Sequence, residues 1–281
     1  MSNGILITGG TGSLGRTIAK KLLSGTYYNR ICIYSRDEHK QETLERELGK
    51  NDRMRYFIGD VRDRDRLTFA MAGCEDVIHT AALKIIPTAE YNPMEVIKTN
   101  ILGTENIIWA SMLQKIDKVM VLSTDKAVSP LNLYGATKLC AEKLSLAYNG
   151  KTQTKISVAR YGNVANSNGS VIPLFKKLVA RGNELTITDE NMTRFWITLD
   201  EVVEFVLGSL EKMNGGEIFI PKMPSFKIMD LAFAVTDTPN IKIIGVRPGE
   251  KIHEEIEIGK PSNQNDWWLS VEDLREKLRH L

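Results

Sequence analysis

Gly4-Ile5-Leu6-Ile7-Thr8-Gly9-Gly10-Thr11-Gly12-Ser13-Leu14-Gly15 is the stretch that decides the fold. Its first part is an apolar run of strand length. Its second part spaces Gly9, Gly12 and Gly15 by three and opens a helical pattern. In such a turn the first glycine permits a sharp bend and the second lets backbone approach a pyrophosphate. The third lets helix and strand pack closely. The amides of Thr11, Ser13 and Leu14, at a helix start, then face the anion. An ordinary strand-to-helix turn is the alternative, but the position at the head of a repeating series favours a dinucleotide.

That series runs outward from the turn. Short apolar runs at Gly4–Thr8, Arg30–Ser35, Met54–Gly59, Asp76–Thr80, Lys118–Ser123 and Lys155–Arg160 have the length of strands. Several are apolar almost throughout, the habit of strands buried on both faces of a parallel sheet. Helical stretches at 12–24, 37–48, 63–72, 93–114 and 132–149 lie between them. Strict alternation predicts an α/β fold, a Rossmann-type doubly wound sheet with right-handed crossovers. After Arg160 the rhythm breaks into a loop rich in Asn, Gly and Ser. Helices follow at 171–182, 199–213 and 226–236, with strands at Leu185–Thr188 and Glu217–Ile220. Residues 1–162 are expected to form the dinucleotide-binding domain. Residues 163–281 are expected to form mainly a smaller α/β substrate lobe, some of whose chain returns to the first domain. Trp267 and Trp268 interrupt a charged tail and are expected to anchor it.

The strand ends carry the binding chemistry. The second strand closes on Ser35-Arg36, with Lys40 one turn further on, where an NAD site has an acidic residue. Cations there suit the extra phosphate of NADP, which Arg grips bidentately. Asp37 nearby serves as a helix cap. Asp60, before Val61, is placed to accept from an adenine amino group, and Ala81-Ala82 lets backbone lie against the dinucleotide. The fifth strand ends in Ser123-Thr124-Asp125-Lys126, and Tyr134 and Lys138 follow, four apart and so on one helix face. A tyrosine acts as base near neutral pH only when a cation lowers its pKa, the role Lys138 is given. A chance helical pair, and a surface salt bridge at Asp125-Lys126, are the bland alternatives. The crevice at the strand ends argues against both.

Composition excludes other classes. The 281 residues are 42% hydrophobic and 26% charged, with 37 basic and 35 acidic residues giving a net charge of +2. Nothing in that balance calls for nucleic acid or a membrane surface. No apolar run reaches the roughly 18 residues of a membrane helix, and Ile5–Thr8 already reads as strand, so no signal peptide is expected. Cys32, Cys74 and Cys140 have no metal or disulfide spacing. Buried free thiols and a cytoplasmic, reducing compartment are expected.

The glycine turn, Ser123-Thr124-Asp125-Lys126 and Tyr134-x-x-x-Lys138 together resemble the extended short-chain dehydrogenase/reductase family over nearly the whole chain. Longer strings resemble its inverting UDP-N-acetylglucosamine 4,6-dehydratases. These are Ser-Thr-Asp-Lys-Ala at 123–127, Met-Thr-Arg-Phe-Trp-Ile at 192–197 and Arg-Pro-Gly-Glu-Lys-Ile-His-Glu at 247–254. Ala81-Ala82-Leu83-Lys84 and Ala89-Glu90-Tyr91-Asn92-Pro93 also fit. The family's retaining dehydratases carry Asp-Glu where this chain has Asp125-Lys126.

The resemblance implies a hydro-lyase. Tyr134 would take the proton of the sugar's 4-hydroxyl during hydride transfer to NADP⁺, and Thr124 would hydrogen-bond that hydroxyl. Lys126 would remove the carbon 5 proton, and Asp125 would protonate the departing 6-hydroxyl. Reprotonation from the opposite face would give a UDP-2-acetamido-2,6-dideoxy-4-keto sugar of L configuration. The resemblance implies Lys84, Asn100, Ser123 and Lys138 around the cofactor. It implies Lys84, Asn163, Val164, Asn168, Gly169, Ser170, Val171, Arg194, Arg247 and Glu250 around the UDP-sugar. The arginines would meet the diphosphate, and Glu250 the uridine ribose. A homo-oligomer is expected, a dimer through the helices at 93–114 and 132–149, or a hexamer as in some relatives. Alternatives are a nucleotide-sugar 4-epimerase, which needs no acid–base pair at carbons 5 and 6, and a non-catalytic NADP-binding sensor.

Overall fold

The computed structural model describes residues 3–166 and 170–281. Strands β1 (Gly4–Thr8), β2 (Arg30–Ser35), β3 (Met54–Ile58), β4 (Asp76–His79), β5 (Lys118–Thr124) and β6 (Lys155–Tyr161) alternate with helices. The helices are α1 (Ser13–Ser24), α2 (Glu38–Leu48), α3 (Arg64–Met71), α4 (Ile86–Tyr91), α5 (Pro93–Val96), α6 (Gly103–Leu113) and α7 (Leu133–Tyr148). There follow β7 (Asn163–Val164), α8 (Val171–Ala180), β8 (Leu185–Ile187), β9 (Thr193–Ile197), α9 (Leu199–Lys212) and β10 (Ile218–Phe219). The chain ends with β11 (Ser225–Lys227), α10 (Ile228–Val235), β12 (Ile241–Ile243), β13 (Glu255–Glu257), β14 (Lys260–Pro261) and α11 (Val271–Arg279).

Contacts group these elements into two compact units. The first holds Met1–Ser123, Thr137–Ala159 and Val203–Phe219; the second holds Thr124–Ala136, Arg160–Val202 and Ile220–Leu281. No single cut after residue 162 describes that division.

The first unit is built on a seven-stranded sheet of order β10-β6-β5-β4-β1-β2-β3. Its pairs β1–β2, β1–β4, β2–β3, β4–β5 and β6–β10 are parallel. This is the doubly wound α/β class expected, and its direction of winding reverses at β1 and β4, where such folds open a crevice. Every residue of β1 is buried. Leu6, Cys32, Val77, Val119 and Val158 of the strands pack with Leu67 and Met71 of α3 and Ile107 and Ile108 of α6. α2 and α3 start where Asp37 and Asp63 accept from the amides of Lys40 and Arg66.

The expected single helix over 93–114 is broken by a π-turn at Ile97–Leu102. Periodicity does not register one inserted residue, and such turns recur at functional positions.

The second unit has a three-stranded sheet of order β11-β9-β7, the pair β12–β8 and the hairpin β13–β14. Its core joins Phe175, Leu185, Trp196, Phe226, Leu231, Leu269 and Leu274. The tail is anchored differently from expectation. Trp267 and Trp268 keep their rings exposed, while Leu269 and Leu274 are buried. Backbone bonds Ser225 N–H to Trp267 O and Leu269 N–H to Ser225 O tie the segment to β11. α11 then starts from a capping box between Ser270 and Asp273. Of the cysteines, Cys32 and Cys74 are buried thiols with sulfurs 3.8 Å apart. Cys140 is exposed, contrary to expectation, because it falls on the outer face of α7.

Candidate functional site

The glycine turn in the first unit has the geometry its sequence requires. Gly9 has φ +62°, and a Cβ there would lie 2.9 Å from the Ala81 backbone. A Cβ on Gly15 would lie 2.6 Å from Gly10 Cα. Gly12 caps α1 with no side-chain bond to its first-turn amides. That is a cradle open to a pyrophosphate, with donors of the kind an anion uses.

Around it, Ser35 is buried and its hydroxyl accepts from Gln41 Nε2 at 2.9 Å. Arg36 is exposed, 3.6 Å from Asp60. Lys40 lies 3.3 Å from Asp37, which caps α2. Burial alone would raise the Asp60 carboxyl, but Arg62 and Arg36 hold it below the usual range. Val61 is buried against Gly103. Ala81 and Ala82 are half-buried and Lys84 is exposed.

Asn100, expected beside the cofactor, works as a bracket. It accepts from Leu83 N–H at 2.8 Å and donates to Leu83 O at 2.9 Å and Thr137 Oγ1 at 3.0 Å. So it fixes the loop after β4 and the residue before Lys138. His79, which the sequence reading passed over, supports that bracket. Thr104 gives its hydroxyl proton to Asn100 O, so it accepts from His79 Nε2–H at 3.2 Å. Nδ1 is then the acceptor from Thr8 Oγ1 at 2.7 Å. The donor count thus fixes one neutral tautomer. Burial, helped by Lys138, pushes its pKa down to about 3.

Ser123 donates to Glu142 at 2.5 Å, a second buried group sequence reasoning missed. Glu142 is one turn beyond Lys138 on α7. Burial pushes Lys138 down to about 8, with Glu142 opposing.

The acid–base residues form a cluster in the second unit. Thr124 caps a short 3₁₀ turn, Asp125–Ala127, and donates to Asp125 Oδ1 at 2.9 Å. Lys126 Nζ lies 3.1 Å from Asp125, 2.8 Å from Asn163 Oδ1 and 3.1 Å from Glu254. Gly135 lets α7 start against this turn, since a Cβ there would be 2.2 Å from the Lys126 carbonyl oxygen.

Asp125 is fully buried, and burial raises its pKa against the pull of Lys126, with Glu254 adding to the rise. Burial would discharge Lys126, but Asp125 and Glu254 outweigh it and hold the ammonium protonated well above the usual lysine value. Tyr134 is pushed up to about 12 by burial. Lys126 and a hydrogen bond with Thr124 oppose that rise.

The remaining candidates divide. Arg194 is buried, its Nη atoms donating to the carbonyls of Thr193, Ile252 and Lys251. Arg247 is exposed, 3.6 Å from Glu250, whose other oxygen accepts from Thr188. Gly249, at φ +80°, packs on Asn132 and its carbonyl accepts from that side chain at 2.8 Å. Ser170 caps α8 ahead of Val171, and its hydroxyl has no partner among the described residues. Val164 is half-buried in β7. Asn168 and Gly169 lie outside the described residues.

A doubly wound sheet with this glycine turn, and a Tyr-x-x-x-Lys helix after its fifth strand, define an extended short-chain dehydrogenase/reductase fold. The chain belongs to the family described as polysaccharide biosynthesis protein, which it matches over residues 5–268. It is 57% identical over 260 residues to a Campylobacter jejuni UDP-N-acetylglucosamine 4,6-dehydratase (inverting), covering 90% of this chain and 78% of that one. It is 43% identical to a Rickettsia rickettsii UDP-glucose 4-epimerase, covering 97% and 84%. Among solved structures, Pen from Bacillus thuringiensis superposes with TM-score 0.93 at 34% identity, covering 100% and 99%.

Proposed function

We propose that this chain is an inverting UDP-N-acetylglucosamine 4,6-dehydratase. The observation that carries the proposal is the buried Asp125–Lys126 pair, in a chain 57% identical to a relative of that name. Gly9, Thr11, Gly12, Ser13, Leu14, Gly15, Asp60, Val61, Ala81 and Ala82 would hold the dinucleotide, with Lys138 on its ribose. Ser35, Arg36 and Lys40 favour NADP, because no acidic residue closes β2 to accept from a free ribose hydroxyl. A bound nicotinamide dinucleotide supplies the acceptor for the carbon 4 hydride and its later return to carbon 6.

The chain's own groups do the rest. Tyr134 takes the 4-hydroxyl proton, with Thr124 in hydrogen-bond contact with the phenol. The 4-ketone acidifies the hydrogen on carbon 5. Lys126 removes it as the neutral amine, its resting ammonium having first released a proton to solvent. Asp125, whose burial keeps a proton on it at higher pH than usual, gives that proton to the departing 6-hydroxyl, which leaves as water. Asn163 holds Lys126 in place, and the exposed Arg247 and half-buried Glu250 are the groups offered to the nucleotide. The setting is a cytoplasmic step of polysaccharide or glycan synthesis. Self-association through the helix that exposes Leu102, Trp109 and Leu113 would give a dimer or larger oligomer.

A 4-epimerase is the second reading, favoured by the Rickettsia relative. Incubation with UDP-N-acetylglucosamine, followed by NMR, tests both. A 4-keto-6-deoxy sugar is expected. A 4-epimer instead would favour the epimerase, and unchanged substrate with dinucleotide bound would favour a sensor.

A further inference from the structure

Glu254 closes the 247–254 motif, yet the reaction as written gives it no task. Its side chain is buried, with Oε1 3.1 Å from Lys126 Nζ and 3.9 Å from Arg194 Nε. Its Oε2 is buried with no partner among the described residues, and so is Asp125 Oδ2. Two buried carboxyls therefore meet one ammonium, and each keeps an oxygen without a partner among the described residues. Like charges in one buried site do not ionise together cheaply, so one carboxyl retains its proton. The neighbours decide which. Glu254 has two cations, Lys126 and Arg194, with Lys251 also bearing on it. Asp125 has Lys126 alone, the Thr124 hydroxyl and the uncharged phenol of Tyr134.

We propose that Glu254 is a positioning residue that keeps the catalytic proton on Asp125 by occupying the second carboxylate place on Lys126. This rests on the dehydratase reading, in which that proton converts the departing 6-hydroxyl to water and leaves Asp125 a carboxylate. Once Asp125 is charged, it competes with Glu254 for Lys126.

The test is carbon-13 NMR of aspartate-labelled full-length chain, with Asp125→Asn assigning the signal, beside steady-state kinetics. In the unsubstituted chain Asp125 is expected to titrate above the usual value of about 4. In Glu254→Gln, which keeps the shape and loses the charge, that titration moves down. There kcat falls about 10²-fold with KM nearly unchanged, the pattern of a lost transition-state proton donor. Glu254→Asp, which keeps the charge, recovers part of kcat. An Asp125 titration unmoved by Glu254→Gln overturns the proposal, as does Glu254→Asp losing as much kcat as Glu254→Gln. Should the variants fail to fold, an ordinary Asp125 titration in the unsubstituted chain is sufficient to reject it. If that chain leaves UDP-N-acetylglucosamine untouched, the dehydratase reading falls while the titration still judges Glu254.

Discussion

Lys126 divides its three N–H donors among Asp125, Asn163 and Glu254, which makes it a well-held cation before it is a base. Replacing it with alanine should lower turnover by about 10²- to 10⁴-fold, the range a positioned proton-transfer group supplies. In deuterated water the variant should place little deuterium at carbon 5 of recovered sugar. Normal turnover with full deuterium incorporation would remove Lys126 from that role. Gly135→Ala is the subtler test. Its methyl would press on the Lys126 carbonyl, so kcat should fall while dinucleotide affinity, measured by fluorescence titration, holds. At this scale the sequence was readable wherever contacts are local. Asp125, Lys126, Tyr134 and Lys138 sit in short strings with interpretable spacing. Glu254, His79 and Glu142 were not readable, because each acquires its partner only when distant segments fold together. Arg194 shows the converse: its charge was visible, but the carbonyls that engage it were not.

The elements tell a similar story. β1 to β6 were legible because parallel strands buried on both faces are apolar throughout. β9, β11 and the β13–β14 hairpin were not, since their sequences mix charged and apolar residues and they exist by pairing rather than by pattern. α11 was hidden by its charge, and its buried face is carried by Leu274, with Val271 and Leu278 half-buried beside it. Leu274→Ala should cost about 2–5 kcal/mol of stability, read from urea unfolding.

His79 ties β1, β4 and α6 through Thr8 and Thr104, and it does so neutral. Its folded pKa of about 3 lies below the ordinary 6.5. The unfolded chain therefore binds the proton first as pH falls. Stability contributed by His79 is full above about pH 6.5 and is lost toward pH 3, at up to about 1.4 kcal/mol per pH unit. Urea midpoints across that window should show the slope, and His79→Gln should flatten it. Equal slopes in both chains would argue against a neutral His79.

For the whole molecule, the chemistry proposed borrows a hydride and returns it. Purified chain carrying its dinucleotide should convert many equivalents of UDP-N-acetylglucosamine with no added oxidant and no net change in nicotinamide absorbance. Accumulation of reduced nicotinamide in step with product would contradict that cycle. The division into two units was only partly visible in the sequence. Chain that returns, such as Val203–Phe219 in the first unit, leaves no compositional mark.

The π-turn at Ile97–Leu102 gives this protein an unusual sensitivity to length. One residue more than an α-helix needs is wound into that turn, and Asn100 sits inside it. Deleting a single residue there would relax the backbone to regular α-geometry, keep the flanking turns in register, and abolish the widened turn that aims the Asn100 side chain. The carboxamide of Asn100 could then no longer meet both Leu83 and Thr137. Insertions and deletions in this segment should therefore be selected against more strongly than most of its point substitutions, the reverse of what a surface loop tolerates.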